Sequence, residues 1–167
     1  TVMKNNLDVL FINPKNPLST YQDLSNKYAA VEPPTWALLL AQSCRDMGFS
    51  VGILDANAEN LEASELLERV LDLNPRLVCL VVYGQNVNAG TASMTGAILT
   101  STSLKEGGLT APISMVGSHV QALPKKCLEE EKSLDFVFTN EGVYSLRNLL
   151  REEDFSDKVL AQTYQTY

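Results

Sequence analysis

The residues of this chain best suited to polar chemistry gather in four short clusters: Asn13-Pro14, Tyr83-Gly84-Gln85-Asn86, Gly117-Ser118-His119-Val120 and Asn140-Glu141-Gly142. Amides, hydroxyls and the bare backbone of glycine donate and accept hydrogen bonds without carrying charge. Gathered together, such a set suggests a ligand site, and one without an obvious catalytic apparatus. No Gly-x-Ser-x-Gly elbow occurs, and His119 is the only histidine, with no carboxylate paired to it in sequence. His119 therefore reads either as a hydrogen-bonded turn residue or as a ligand contact. Glu141 precedes a helix whose positive end favours an acid, so it reads either as a cap or as part of the site. No Cys-x-x-Cys or Cys/His spacing suggests a metal. The chain thus offers binding residues, and neither catalytic nor metal-ligating ones.

Each cluster follows a short apolar run that reads as a buried strand: residues 7–12, 77–82, 113–116 and 134–138, with a further strand at 50–54. Helical periodicity and stop signals predict helices over 35–47, 61–73, 88–105, 123–131 and 143–151. Gly48 closes the first, and Asn74-Pro75 the second. The third is crowded with Gly, Ala, Ser and Thr, which fits either tight packing on a sheet or room for a broad, flat ligand. Residues 13–34 form a long connection with four prolines and no glycine, a length usual for a functional loop or lid.

Strand and helix alternate five times. The order predicts an α/β, flavodoxin-like (Rossmann-like), doubly wound five-stranded parallel sheet of order 2-1-3-4-5 with helices on both faces. Ligands bind such sheets outside the carboxyl ends of the strands, at the switch point between strands one and three. All four clusters fall at that edge. Residues 1–151 make this domain, and the polar stretch 152–167 reads as a linker toward something else.

Composition removes several classes of function. The 167 residues carry 45% hydrophobic and 20% charged side chains, as a folded domain does. A net charge of −7 argues against a nucleic-acid surface, which needs clustered Lys and Arg. No apolar run is long enough to span a bilayer. Cys44, Cys79 and Cys127 are odd in number and core-like in position, the pattern of reduced, buried thiols in a cytoplasmic protein. A dinucleotide site would need Gly-x-Gly-x-x-Gly after strand one, and a P-loop is absent for the same want of glycine. Asp55, where a ribose-binding acid would stand, then reads as a turn or capping residue. A phosphoacceptor domain would need an acidic cluster where Asn13 stands and an Asp where Gly84 stands.

In order along the chain, five features combine: Ile12-Asn13-Pro14, Glu32-Pro33-Pro34-Thr35-Trp36-Ala37-Leu38-Leu39, Gly48-Phe49-Ser50-Val51 through Leu54-Asp55-Ala56-Asn57, Val116-Gly117-Ser118-His119, and Asn140-Glu141-Gly142. Together they resemble the N-terminal cobalamin (B12)-binding domain of B12-dependent radical SAM enzymes. That family shows an Asn-Pro strand exit, a Pro-Pro-Leu-Gly-Leu helix start, a Gly-Tyr-x-Val to Asp-Ala strand, a Gly-Gly-x-His turn and a Gly-Glu-Gly turn. The likeness runs over about residues 7–151. Thr35-Trp36-Ala37 replaces the usual Leu-Gly, Ser118 the second glycine of its turn, and Asn140 the first glycine of the last turn.

The resemblance implies cobalamin bound base-off with no protein histidine on cobalt, since the loop after strand one holds none. Its nucleotide tail would enter beside Tyr83, Gly84, Gln85, Asn86, Gly117, Ser118, His119, Val120, Asn140, Glu141 and Gly142, with Asn13-Pro14 at the first strand exit. It further implies a radical SAM catalytic domain as partner, which would carry S-adenosylmethionine and the [4Fe-4S] cluster. This chain has no Cys-x-x-x-Cys-x-x-Cys motif, so it reads as a non-catalytic domain of a methyltransferase-like enzyme. Two other readings stand beside this one. One is a flavodoxin-like regulatory or protein-interaction domain that has lost its ligand. The other is a flavin-binding flavodoxin relative, disfavoured because Asn-Pro-Lys-Asn-Pro replaces the phosphate-binding loop.

Overall fold

Runs of β-branched and aliphatic residues form five strands: β1 (Val9–Asn13), β2 (Val51–Asp55), β3 (Val78–Val82), β4 (Ile113–Gly117) and β5 (Phe136–Phe138). The computed structural model describes residues 5–16, 33–83 and 87–155, with side chains outside 87–92. The strands pair in parallel in the order β2-β1-β3-β4-β5, as the alternation of elements predicts. Register is set along the whole sheet, with Asn13 opposite Asp55, Leu10 opposite Val78, Val82 opposite Gly117 and Val116 opposite Phe138. Every residue of β3 and β4 is buried, the expected state of central parallel strands covered on both faces.

Among the described residues, six helices cover the sheet: α1 (Thr35–Asp46), α2 (Ala63–Leu73), α3 (Val87–Glu106), α4 (Ser118–Ala122), α5 (Pro124–Glu130) and α6 (Val143–Arg151). The two-residue alternation of strand side chains divides the core into two layers. Leu10, Ile12, Val78, Leu80, Ile113 and Met115 pack with Leu66 and Val70 of α2, Ala97 and Leu104 of α3, Val120 of α4 and Cys127 of α5. Val9, Phe11, Cys79, Val81, Val116 and Phe138 pack with Ala37, Leu40 and Cys44 of α1 and Leu146, Leu149 and Leu150 of α6. Placing α1 and α6 on one face and α2 to α5 on the other follows from the handedness of parallel crossovers.

Helix ends match their sequence signals. Gly48 after α1 has φ +88 and Asn74 after α2 has φ +42, both left-handed. Several boundaries differ from expectation: α2 starts at Ala63 rather than 61 and β5 at Phe136 rather than 134. Leu7, read as part of the first strand, makes an isolated bridge to Pro75, and β1 proper begins at Val9. The residues read as a Gly-Ser-His turn form α4 instead, and the predicted 123–131 helix is α5. Pro124 separates them: it has no N–H to continue α4, and it fits the first turn of α5. The middle of the long 13–34 connection, and most of the 152–167 stretch, lie outside the described residues.

Candidate functional site

The predicted clusters meet the carboxyl edge of the sheet in different ways. Asn13 ends β1 and donates its side-chain N–H to Oδ1 of Asp55 at 2.8 Å. Asp55 Oδ1 also accepts the Ala58 N–H at 3.0 Å, so Asp55 is the turn residue expected of it. The Asn13 amide is therefore tied toward β2, and Pro14 beside it is buried.

Tyr83, just past β3, reaches along the edge. Its ring stacks on Trp36 of α1, with centroids 4.6 Å apart and planes 26° apart. Its hydroxyl donates to the Asn140 carbonyl oxygen at 3.4 Å. Burial, with the Glu141 carboxylate and Cys79 nearby, pushes the Tyr83 hydroxyl above its usual pKa, so it stays a protonated donor at neutral pH. Gly84, Gln85 and Asn86 lie outside the described residues.

Gly117 ends β4 opposite Val82, and a Cβ there would overlap the Val82 carbonyl oxygen. Its glycine is demanded by strand packing. Ser118 and His119 follow on α4, both exposed, while Val120 is fully buried in the core with α2 and α3. Val120 thus anchors α4 rather than presenting a side chain at the edge. Asn140 adopts φ +56 and Gly142 φ +73. Asn is among the few residues other than Gly that enter this region readily, so Asn140 keeps the conformation a glycine would give. A Cβ at Gly142 would lie 2.9 Å from Val116 Cγ2. Glu141 is exposed and does not cap α6, whose first residue follows Gly142 without a side-chain cap. The expected capping role is corrected: the left-handed turn at 140–142 carries the chain into α6 unaided.

The edge therefore joins Tyr83, Asn140, Glu141 and Gly142 directly, with Gly117 holding β4 against β3 beside them. Among the described residues, the side chains of Ser118, His119, Asn140 and Glu141 have no hydrogen-bond partner and remain available to a ligand. No group of three His, Cys, Asp or Glu able to hold a metal occurs among the described residues. Cys44, Cys79 and Cys127 are free and buried. No helix among the described residues is long and apolar enough to cross a membrane.

In sequence, Trp36 stands out only as a departure from the Leu-Gly pattern, and nothing there places it at the site. Its signal was a large aromatic in the first turn of a helix that starts at the sheet's carboxyl edge. The small residues of α3 also have a visible consequence. Gly96, Thr100 and Ser103 line a cavity of about 230 Å³ against Ala56, Leu61 and Leu66, on the α2 side of the sheet.

The fold agrees with what the chain is similar to. No curated protein matches the chain significantly. Among solved structures, the radical S-adenosylmethionine methyltransferase TsrM from Kitasatospora setae, with tryptophan substrate and a SAM analogue bound, superposes with a TM-score of 0.62 at 20% identity. The match covers 85% of this chain and 25% of that one, so the chain spans about a quarter of the enzyme's length. The family model of the B12 binding domain matches residues 21–150. With most of its length matched and its five-stranded parallel sheet in the order 2-1-3-4-5, the chain belongs to the B12-binding domain family.

Proposed function

We propose that this chain holds cobalamin at the carboxyl edge of its sheet and serves as the corrinoid-binding part of a larger radical SAM enzyme. The observation that carries the reading is the unspent, mostly neutral polar surface at the carboxyl ends of β4 and β5. Ser118, His119 and Asn140 are available to the many side-chain amides of a corrin, which need both donors and acceptors. The Asn140 and Gly142 backbone conformations support the same reading, because the turn keeps its shape where glycine is replaced.

The ligand would be held base-off, as the family resemblance implies, and no histidine of this chain would ligate cobalt. The connection after β1 contains none, and the one histidine stands on α4 beyond β4. Cobalamin, when bound, supplies a cobalt centre able to carry a methyl group. The residues of this chain would orient the corrin through its amides and keep one side of it against the sheet edge. S-adenosylmethionine and a [4Fe-4S] cluster would belong to a partner domain, and radical methyl transfer is the reaction that domain would carry out.

The test is to titrate the purified protein with hydroxocobalamin, gel-filter it and record the visible spectrum. The expected result is a retained, base-off corrinoid. Protein emerging free of cobalamin would overturn the reading and favour a ligand-free interaction domain.

A further inference from the structure

Met47 closes α1, and its sulfur meets two cations from the neighbouring helix on the same face of the sheet. Arg147 Nη2 of α6 donates to Met47 Sδ at 2.7 Å, and Arg151 Nη2, one turn further along α6, lies 3.8 Å from the same atom. A thioether is a weak acceptor. Among the described residues, neither guanidinium is ion-paired with a carboxylate. Two strong donors are thus directed at an atom that can use little of what they offer. Met47 is also half-buried, whereas Met94 and Met115 are only 8% and 0% exposed.

We propose that Met47 is a site of reversible oxidation by a hydroperoxide, whose sulfoxide oxygen is received by Arg147 and Arg151 and fastens the end of α1 to α6. In the step, the sulfur lone pair attacks the outer peroxide oxygen and the O–O bond breaks. Sulfur gives up two electrons and gains one oxygen, and the remaining half of the peroxide takes the proton and leaves as water or an alcohol. Sulfoxide formation commonly disrupts packing, because it turns an apolar group polar. Here the new oxygen is a strong acceptor between two guanidiniums, and hydrogen bonds from charged donors are roughly twice as strong as neutral ones. The arginines do not speed the attack, since their donation draws on the lone pair that makes it. They are positioning residues that hold the product. The inference stands apart from the cobalamin reading.

The test uses a Met3→Leu background, which removes the one methionine outside the described residues. Protein treated with dilute hydrogen peroxide is mapped by peptide mass spectrometry, and its urea midpoint is measured before and after. Met47 is expected to gain one oxygen ahead of Met94 and Met115, with the midpoint unchanged or raised, and methionine sulfoxide reductase should remove that oxygen. In an Arg147→Ala, Arg151→Ala protein the same oxidation should lower the midpoint. If that variant does not fold, Met47→Gln carries the test, since its amide oxygen stands in for the sulfoxide: it should be more stable than Met47→Leu. Oxidation that lowers the midpoint as far with the arginines as without them would overturn the inference. So would earlier oxidation of Met94 or Met115, or a Met47→Gln protein no more stable than Met47→Leu.

Discussion

At Gly117 the β4 backbone runs so close to β3 that a methyl group would meet the Val82 carbonyl oxygen. Backbone cannot yield as a flexible side chain can. Gly117→Ala should therefore cost about 2–3 kcal/mol, within the range for overpacked cores, read as a lowered urea midpoint. Asn140 poses the opposite case. Its φ of +56 is a conformation that an alanine adopts at a cost of roughly 1–2 kcal/mol and a glycine at almost none. Asn140→Ala should be destabilising and Asn140→Gly close to neutral in the same assay. Gly117 and Asn140 were both visible in sequence as unusual residues after strands. That one answers to strand packing and the other to turn shape was invisible, because the deciding neighbours, Val82 and the 140–142 backbone, are set by register and dihedral angle.

Among the elements, α6 shows how a distant side chain can finish a helix. The Arg76 guanidinium donates to the carbonyl oxygens of Leu150 and Glu152 at the helix's C-terminal end, which have no partners within the helix. It also lies 4.7 Å from the centroid of the Phe155 ring and 3.8 Å from Asp8 Oδ1. Its Nε is buried without a hydrogen bond among the described residues, so its remaining contacts must offset that loss. Arg76→Ala should cost about 1.5–3 kcal/mol, the range for hydrogen bonds from a charged group. Hydrogen exchange should show the loss concentrated in the last turn of α6. Periodicity gave α6 its bounds in sequence, and Gly48 and Asn74 gave α1 and α2 their ends. The α4–α5 break was missed because a five-residue helix has too few turns to show a period. The role of Arg76 was missed because it lies more than seventy residues from the carbonyls it serves.

For the molecule as a whole, the buried thiols tie stability to pH. Burial pushes Cys44 and Cys79 from 9.0 up to about 12, with Arg147 pulling the first back slightly and the neighbouring Ser114 easing the second. Cys127 is raised as well, by burial and then by Glu131 and Glu130. Above about pH 9 the unfolded chain releases thiol protons that the folded chain retains, which favours unfolding. The contribution is complete below that pH and is lost as pH rises toward 12. The urea midpoint should fall between pH 8 and about pH 10.5, and a Cys44→Ala, Cys79→Ala protein should show a shallower fall. At neutral pH the native thiols should resist alkylation, since the thiolate is the reactive form. By itself the sequence determined the parallel five-stranded sheet, its strand order, the buried thiols and the edge where unusual residues collect. Alternation of apolar runs and chain handedness are local properties that leave few arrangements open. Only the tertiary structure decided which of those residues meet. It tied Asn13 to Asp55, sank Val120 into the core and stacked Trp36 on Tyr83. Such pairings depend on how the two layers of helices pack on the sheet, and side chains far apart in the chain carry no mark of it.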